Sequence, residues 1–296
     1  SSSSAASDVY KRQLVPSGGR TGLSSAATAS QGEIVVSLEK MNKILEFSEI
    51  DQMVRVEPGV ITEDLHQYVE EKGYFFPIDL AAKGSCHIGG NVATNAGGLR
   101  VLRYGMMRSW VSGLTVVTGA GQVLKLNKSL VKNATGFDIK NLFVGSEGTL
   151  GFITEVELKV TRPPEDKTVV VFGVERLADI ISVYRHFMTN TDLAACEVFS
   201  EFALQKVTEM HDLQRPFETQ APFYLLLEVE HPEGDYSDKL TPLFEHCFEK
   251  GWINDGVISQ SPQQMQNLWN LREFVSESLS PMSPYRNDVS VRTPNI

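Results

Sequence analysis

Three glycine-rich segments fall within the first 151 residues: PSGGRTGL (Pro16 to Leu23), KGSCHIGGNVATNAGG (Lys83 to Gly98) and GSEGTLG (Gly145 to Gly151). Glycine that dense is costly in long regular elements, so these segments must serve as connections. Without side chains, their backbone amides can approach a ligand closely and adopt positive φ. Consecutive amides of this kind form nests that hold anionic oxygens. Ser17, Thr21, Ser85, Thr94 and Asn95 add side-chain donors. Any one of the segments alone reads as a turn. Three of them, one sixteen residues long, read as a ligand cradle. Neither GxGxxG nor GxxxxGK[ST] occurs, so neither a Rossmann dinucleotide loop nor a P-loop is indicated.

Composition narrows the function classes. The net charge of −10 argues against a nucleic-acid binder. No uncharged apolar run approaches the roughly 18 residues of a membrane helix. Cys86, Cys196 and Cys247 are too widely spaced for a disulfide framework or a CxxC zinc half-site, and they suit a reducing compartment. At 296 residues the chain has room for two domains. Ser1 to Ser7 holds five serines and two alanines, and SSSSAASDVYKRQ resembles a translated library adaptor. Residues 1–13 are therefore expected to be disordered and artefactual. The final RTPNI breaks off a strand-like run, Asp288 to Val291. Both ends predict a fragment.

Periodicity predicts strands at Ile34 to Val36 and Met53 to Glu57, then a helix capped by Thr62 and ended by Gly73. Leu114 to Val117 and Val123 to Leu126 predict a hairpin, and Phe152 to Val160 a half-buried strand. Pro163-Pro164 is the expected domain boundary. Beyond it, strands at Val169 to Phe172, Phe223 to Val229 and Asn254 to Ser259 alternate with helices at Leu177 to Met188 and Leu240 to Phe248. Ser261-Pro262 starts a last helix running to about Leu279. The alternation predicts an α+β sheet with helices on one face.

The segments PSGGRTGL, PIDLAAKGSCHIGGNVATNAGG (Pro77 to Gly98), LRYG (Leu102 to Gly105) and NATGFDIKNLFVGSEGTLGFIT (Asn133 to Thr154) resemble the FAD domain of flavin-dependent 2-hydroxy-acid dehydrogenases. These belong to the vanillyl-alcohol-oxidase, or PCMH-type, superfamily, and they include enzymes acting on D-2-hydroxyglutarate and D-lactate. The resemblance runs from about Val15 to Val291. It implies an α+β fold, with a PCMH-type FAD-binding domain over residues 14–163. An α+β substrate, or cap, domain with an antiparallel sheet follows over 164–296, incomplete at its C-terminus.

By the same resemblance, Pro16, Gly18, Gly19, Arg20, Thr21 and Gly22 hold the FAD pyrophosphate. Pro77, Gly84, Ser85, Gly89, Gly90, Asn91, Thr94 and Asn95 wrap the pyrophosphate and flavin edge, and Glu147, Gly148, Gly151 and Ile153 approach the flavin or adenosine. The first segment has no histidine, so the FAD is expected to be non-covalent. His87 lies inside the middle segment without an assigned catalytic role.

On the last helix, Met265, Leu268, Trp269, Val275 and Leu279 form an apolar face that also carries Arg272. Spacing alone leaves two readings open. One is a snorkelling arginine; the other is a guanidinium that grips a carboxylate. Ser276 sits one turn further on. The resemblance assigns Arg272 and Ser276 to the substrate carboxylate, and Arg286, in SPYRND, to a second one. Two cations favour a dicarboxylate such as D-2-hydroxyglutarate over D-lactate.

The family's HGDGNLH-like segment and later Glu-His, which supply its zinc site and its base, do not occur in this chain. The catalytic residues are therefore unassigned, and zinc is expected only in a full-length parent. The expected electron acceptor is an electron-transfer flavoprotein or a quinone. A homodimer is compatible with the family, and the compartment is the bacterial cytoplasm or the mitochondrial matrix. A D-lactate dehydrogenase, a glycolate-oxidase-like subunit and a non-catalytic flavin-binding subunit stay open as alternatives.

Overall fold

The computed structural model describes residues 13–22, 28–126, 130, 132–285, 287 and 289–293. Residues 1–12, expected above to be disordered, lie outside the described residues, as do Arg286 and Asp288. The chain divides into two compact units, Ser1–Pro163 and Pro164–Ile296.

In the first unit, strand β1 (Leu14–Ser17) pairs in parallel with β2 (Ile34–Ser37). A second, five-stranded sheet is antiparallel throughout. It runs in the order β3 (Ile44–Ser48), β4 (Met53–Val56), β7 (Gly151–Lys159), β5 (Val111–Thr118), β6 (Val123–Leu126). Helices α1 (Thr62–Glu70) and α2 (Ile88–Ala93) and the single turns α3 (Val101–Tyr104), α4 (Met107–Trp110) and α5 (Lys140–Phe143) complete it. Val56, Leu65, Val69, Phe76, Ile88, Val92, Met107, Val116 and Val156 make one core.

Strand β7 keeps its apolar side inward by a slip. Thr115 opposes Glu155 but Val116 opposes Ile153, so the register shifts by one residue. The bulge lets Ile153 and Val156 both face the core although their spacing is odd. Thr62 does not cap α1. Ile61 occupies that position, and the Thr62 hydroxyl donates to the Cys86 carbonyl at 3.2 Å.

The second unit has an antiparallel sheet in the order β11 (Asp255–Ile258), β8 (Asp166–Val174), β10 (Phe223–His231), β9 (Asp192–Ser200). Its helices are α6 (Leu177–Asn190), α7 (Glu201–His211), α8 (Ser237–Glu249), α9 (Pro262–Glu273) and α10 (Val275–Leu279). Val170, Phe172, Leu225, Leu227 and Val229 pack against Ile180, Val183 and Phe187 of α6 and Leu240 and Cys247 of α8.

The expectation of helices on one face is corrected here. Glu228 points to the other face, where Trp269 of α9 donates to it at 2.8 Å. Tyr224 shares that face and donates to Glu201, the first residue of α7, at 2.6 Å. Both faces are covered, which is why the run Val169 to Phe172 is wholly buried and does not alternate. Ser261 caps α9 by accepting from the Gln264 amide, with Pro262 in the first turn. The expected single helix to Leu279 is interrupted at Phe274, whose ψ of −3° departs from the helical value.

Candidate functional site

The three glycine-rich segments meet, although 130 residues separate Pro16 from Ser146 in sequence. The first leaves β1 and presses on the middle one. A Cβ on Gly19 would overlap the Ser85 carbonyl oxygen, and one on Gly18 would lie 3.7 Å from the His87 ring. The third presses on β1, since a Cβ on Gly148 would overlap Pro16. It also caps the C-terminal end of α2. The Gly145 amide donates to Val92 O at 3.0 Å and the Glu147 amide to Ala93 O at 2.9 Å. Arg20, Asn95 and Glu147, one in each segment, have positive φ of 57°, 51° and 51°.

The middle segment is not a continuous loop. Residues Ile88–Ala93 form α2, whose Gly89 lies against Pro58 of the neighbouring backbone. Its amides at Ile88 and Gly89 are already used by Val60 O and Pro58 O. The backbone amides from Gly18 to Gly22, by contrast, have no hydrogen-bond acceptor among the described residues. An open run of amides beside two surfaces that tolerate no side chain suits a pyrophosphate, so the residues present fit an FAD.

The expected FAD-contacting residues divide by exposure. Arg20, Gly22, Gly84, Ser85, Thr94 and Glu147 are exposed, and Gly18, Gly19, Thr21, Gly90, Asn95, Gly148 and Gly151 are half-buried. Pro77, Gly89, Asn91 and Ile153 are buried in the interior of the unit. Asn91 is 4% exposed, and its amide donates to the Thr62 hydroxyl at 2.7 Å and to the Cys86 sulfur at 3.6 Å. It braces the segment from below. Ile153 belongs to the core through the bulge in β7.

Several supporting residues were given no role by the sequence. Asp79 is bound by Arg100 at 2.7 Å and Lys83 at 3.0 Å, and its carbonyl accepts from Leu99. It thereby closes the middle segment on itself. Burial works to raise the Asp79 carboxyl, but Arg100 and Lys83 hold it below the usual carboxylate range. An acid and a base flanking the glycine run were the available signal. His87 is 8% exposed, and its Nδ1 is sealed without a partner. Burial pushes its imidazole below the ordinary value, with Glu39 opposing and Arg20 adding to the shift. Arg108 ties the middle and third segments together, and nothing in its spacing announced it.

In the second unit, Arg272 is half-buried and its Nε donates to Glu197 of β9 at 2.7 Å. Ser276 follows the break at Phe274 and is exposed. Leu268, Trp269 and Leu271 are the buried residues of α9, while Met265, Val275 and Leu279 are half-buried. Arg286 lies outside the described residues. A cavity of about 340 Å³ in this unit is lined by Lys167, Thr168, His231, Tyr236 and Ser261. Both ring nitrogens of His231 are engaged there, by Pro232 O at 2.8 Å and the Thr168 hydroxyl at 2.9 Å. Among the described residues no group of three or more His, Cys, Asp or Glu could hold a metal ion, and no helix is long and apolar enough to cross a membrane.

Comparison with known proteins agrees with this geometry. Residues 4–127 match the family described as FAD binding domain, and residues 163–296 match FAD linked oxidases, C-terminal domain. The first match begins inside the serine-rich start that composition had set apart. The chain is 52% identical over 284 residues to D-2-hydroxyglutarate dehydrogenase of Stutzerimonas stutzeri, covering 96% of this chain and 61% of that protein. It is 41% identical to the mitochondrial D-2-hydroxyglutarate dehydrogenase of Bos taurus, covering 92% of this chain and 51% of that one. A putative mitochondrial D-lactate dehydrogenase of Schizosaccharomyces pombe is 39% identical, with 96% and 55% covered.

Among solved structures, alkyldihydroxyacetonephosphate synthase matches with a TM-score of 0.72 at 20% identity, over 94% of this chain and 54% of that one. p-Cresol methylhydroxylase matches with a TM-score of 0.68 at 17% identity, over 92% and 60%. These two show the fold, which is of the PCMH type. With its glycine-rich segments gathered on the unit that matches an FAD binding domain and an FAD-linked-oxidase C-terminal domain after it, the chain belongs to the FAD-linked oxidases.

Proposed function

We propose that this chain supplies the FAD-binding and substrate-facing parts of a dehydrogenase that oxidises D-2-hydroxyglutarate to the 2-keto acid. The observation that carries the reading is the 52% identity to a D-2-hydroxyglutarate dehydrogenase over 284 residues, a span that includes the convergent glycine-rich segments. The chain spans 61% of that relative, so the activity is proposed for the whole protein. Bound FAD supplies the hydride acceptor. The open amides of Gly18 to Gly22 hold its pyrophosphate, and Thr94, Asn95 and Glu147 line its approach. The FAD is held without a covalent bond, so denaturation should release all the yellow colour.

Arg272 and Arg286 grip the two substrate carboxylates, with Ser276 assisting. Glu197 orients Arg272 and shares its charge until substrate arrives. The family resemblance implies a base and a zinc ion for the full-length protein. Electrons pass on to an electron-transfer flavoprotein or a quinone. A reducing compartment, bacterial cytoplasm or mitochondrial matrix, suits three unpaired cysteines.

The test is the visible spectrum of the chain loaded with FAD. D-2-hydroxyglutarate should perturb the flavin bands without bleaching them, and D-lactate should perturb them less. Equal response to both acids, or to neither, would overturn the substrate assignment.

A further inference from the structure

Arg108 stands at the junction of the middle and third glycine-rich segments. Its backbone amide donates to the Asn95 side-chain oxygen at 2.9 Å, just past the end of α2. Asn95 has φ of 51°, a left-handed conformation that asparagine tolerates better than most residues. The guanidinium reaches the other way. One terminal nitrogen donates to Asn141 O and the other to Val144 O, each at 2.6 Å. These carbonyls belong to the single turn α5 and to the residue that follows it. A turn that short cannot satisfy its own carbonyls. The next residues, Gly145 and Glu147, are the ones whose amides dock on Val92 and Ala93 of α2. One residue therefore fastens the chain entering the third segment to the end of the middle one, through its guanidinium on one side and its backbone amide on the other.

We propose that Arg108 is a positioning residue for the flavin, a clamp that holds Asn141 to Gly151 in register with Asn95 so that both segments meet the cofactor in one fixed geometry. The inference rests on the reading of these segments as the FAD cradle. Arg108 itself is exposed, so water can hydrate the carbonyls it leaves. Its loss should therefore cost geometry more than stability. A planar fork spanning two carbonyls is also something a lysine cannot reproduce.

The test uses this chain with Arg108→Ala and Arg108→Lys, followed by hydrogen exchange without FAD and by fluorescence titration with FAD. In Arg108→Ala the Gly145 and Glu147 amides should exchange faster, with the melting temperature little changed. FAD should bind about tenfold or more weakly, because the ordering cost moves to the binding step. Arg108→Lys should recover only part of that loss. Unchanged exchange in Arg108→Ala would overturn the clamp. Faster exchange with unchanged FAD affinity would overturn its role toward the flavin, and full recovery by Arg108→Lys would overturn the two-carbonyl geometry. If the unsubstituted chain binds no FAD, the cradle reading fails, and the inference with it.

Discussion

Gly19 shows how much a single missing side chain decides. A methyl group there would overlap Ser85 O and lie 2.9 Å from Cys86 Cα, both backbone atoms that cannot swing aside. Gly19→Ala should therefore displace the first segment and weaken FAD binding by about tenfold or more; an unchanged dissociation constant in a fluorescence titration would place the pyrophosphate elsewhere. Asp79 acts through charge. Its folded-state pKa lies below the unfolded value of about 3.9. Its pairing therefore stabilises the fold above that pH, and the contribution is lost as pH falls through the folded value. Asp79→Asn should cost about 3–5 kcal/mol at pH 7, and its stability should fall less steeply than the parent's below about pH 4. Urea unfolding across that range checks both. Arg272→Ala should abolish the D-2-hydroxyglutarate perturbation and leave FAD affinity intact; loss of FAD as well would make Arg272 structural.

At the scale of elements, periodicity worked where one kind of surface dominated. The β5–β6 hairpin, β7, β8, α6, β10, α8 and the start of α9 all follow their apolar spacing. It did not find β9 and α7, because DLAACEVFS carries small residues with weak strand preference that tertiary pairing with β10 overrides. Nor did it find α2, whose glycines disguise a helix stabilised by burial of Ile88 and Val92. The two-sided burial of β8 has a direct test. Val170 faces α6 and α8, and Val171, its neighbour in the strand, faces the opposite way. Val170→Thr and Val171→Thr should each cost about 1–3 kcal/mol, since each buries a hydroxyl. A cost at only one of the two would return the sheet to a single covered face.

Over the whole molecule, each unit holds its own core. The described residues of the three glycine-rich segments lie in the first unit. FAD should therefore raise the melting transition of the first unit, by about 2.7 kcal/mol of stability at a hundred times the dissociation constant, and leave that of the second in place. Scanning calorimetry with and without FAD checks this, and equal movement of both transitions would mean that the second unit shares the cradle. The same division bears on catalysis. The first unit holds the match to an FAD binding domain and the second carries Arg272, while the relatives extend well beyond the matched span.

The sequence by itself determined that the chain carries an FAD-binding domain and where most long strands and helices run. Those properties are local: chain flexibility, apolar spacing and motif identity do not depend on what packs nearby. Only the tertiary structure decided which motif residues turn inward and which stay open to solvent. Asn91 and Ile153 share motifs with Thr94 and Glu147, yet a buried hydrogen bond and a one-residue bulge turn them inward. Arg108, Asp79 and Arg100 gain their roles from partners as distant as Val144, or from the closure of a loop. Which way a side chain faces is set by the elements that pack around it, and those come together only on folding.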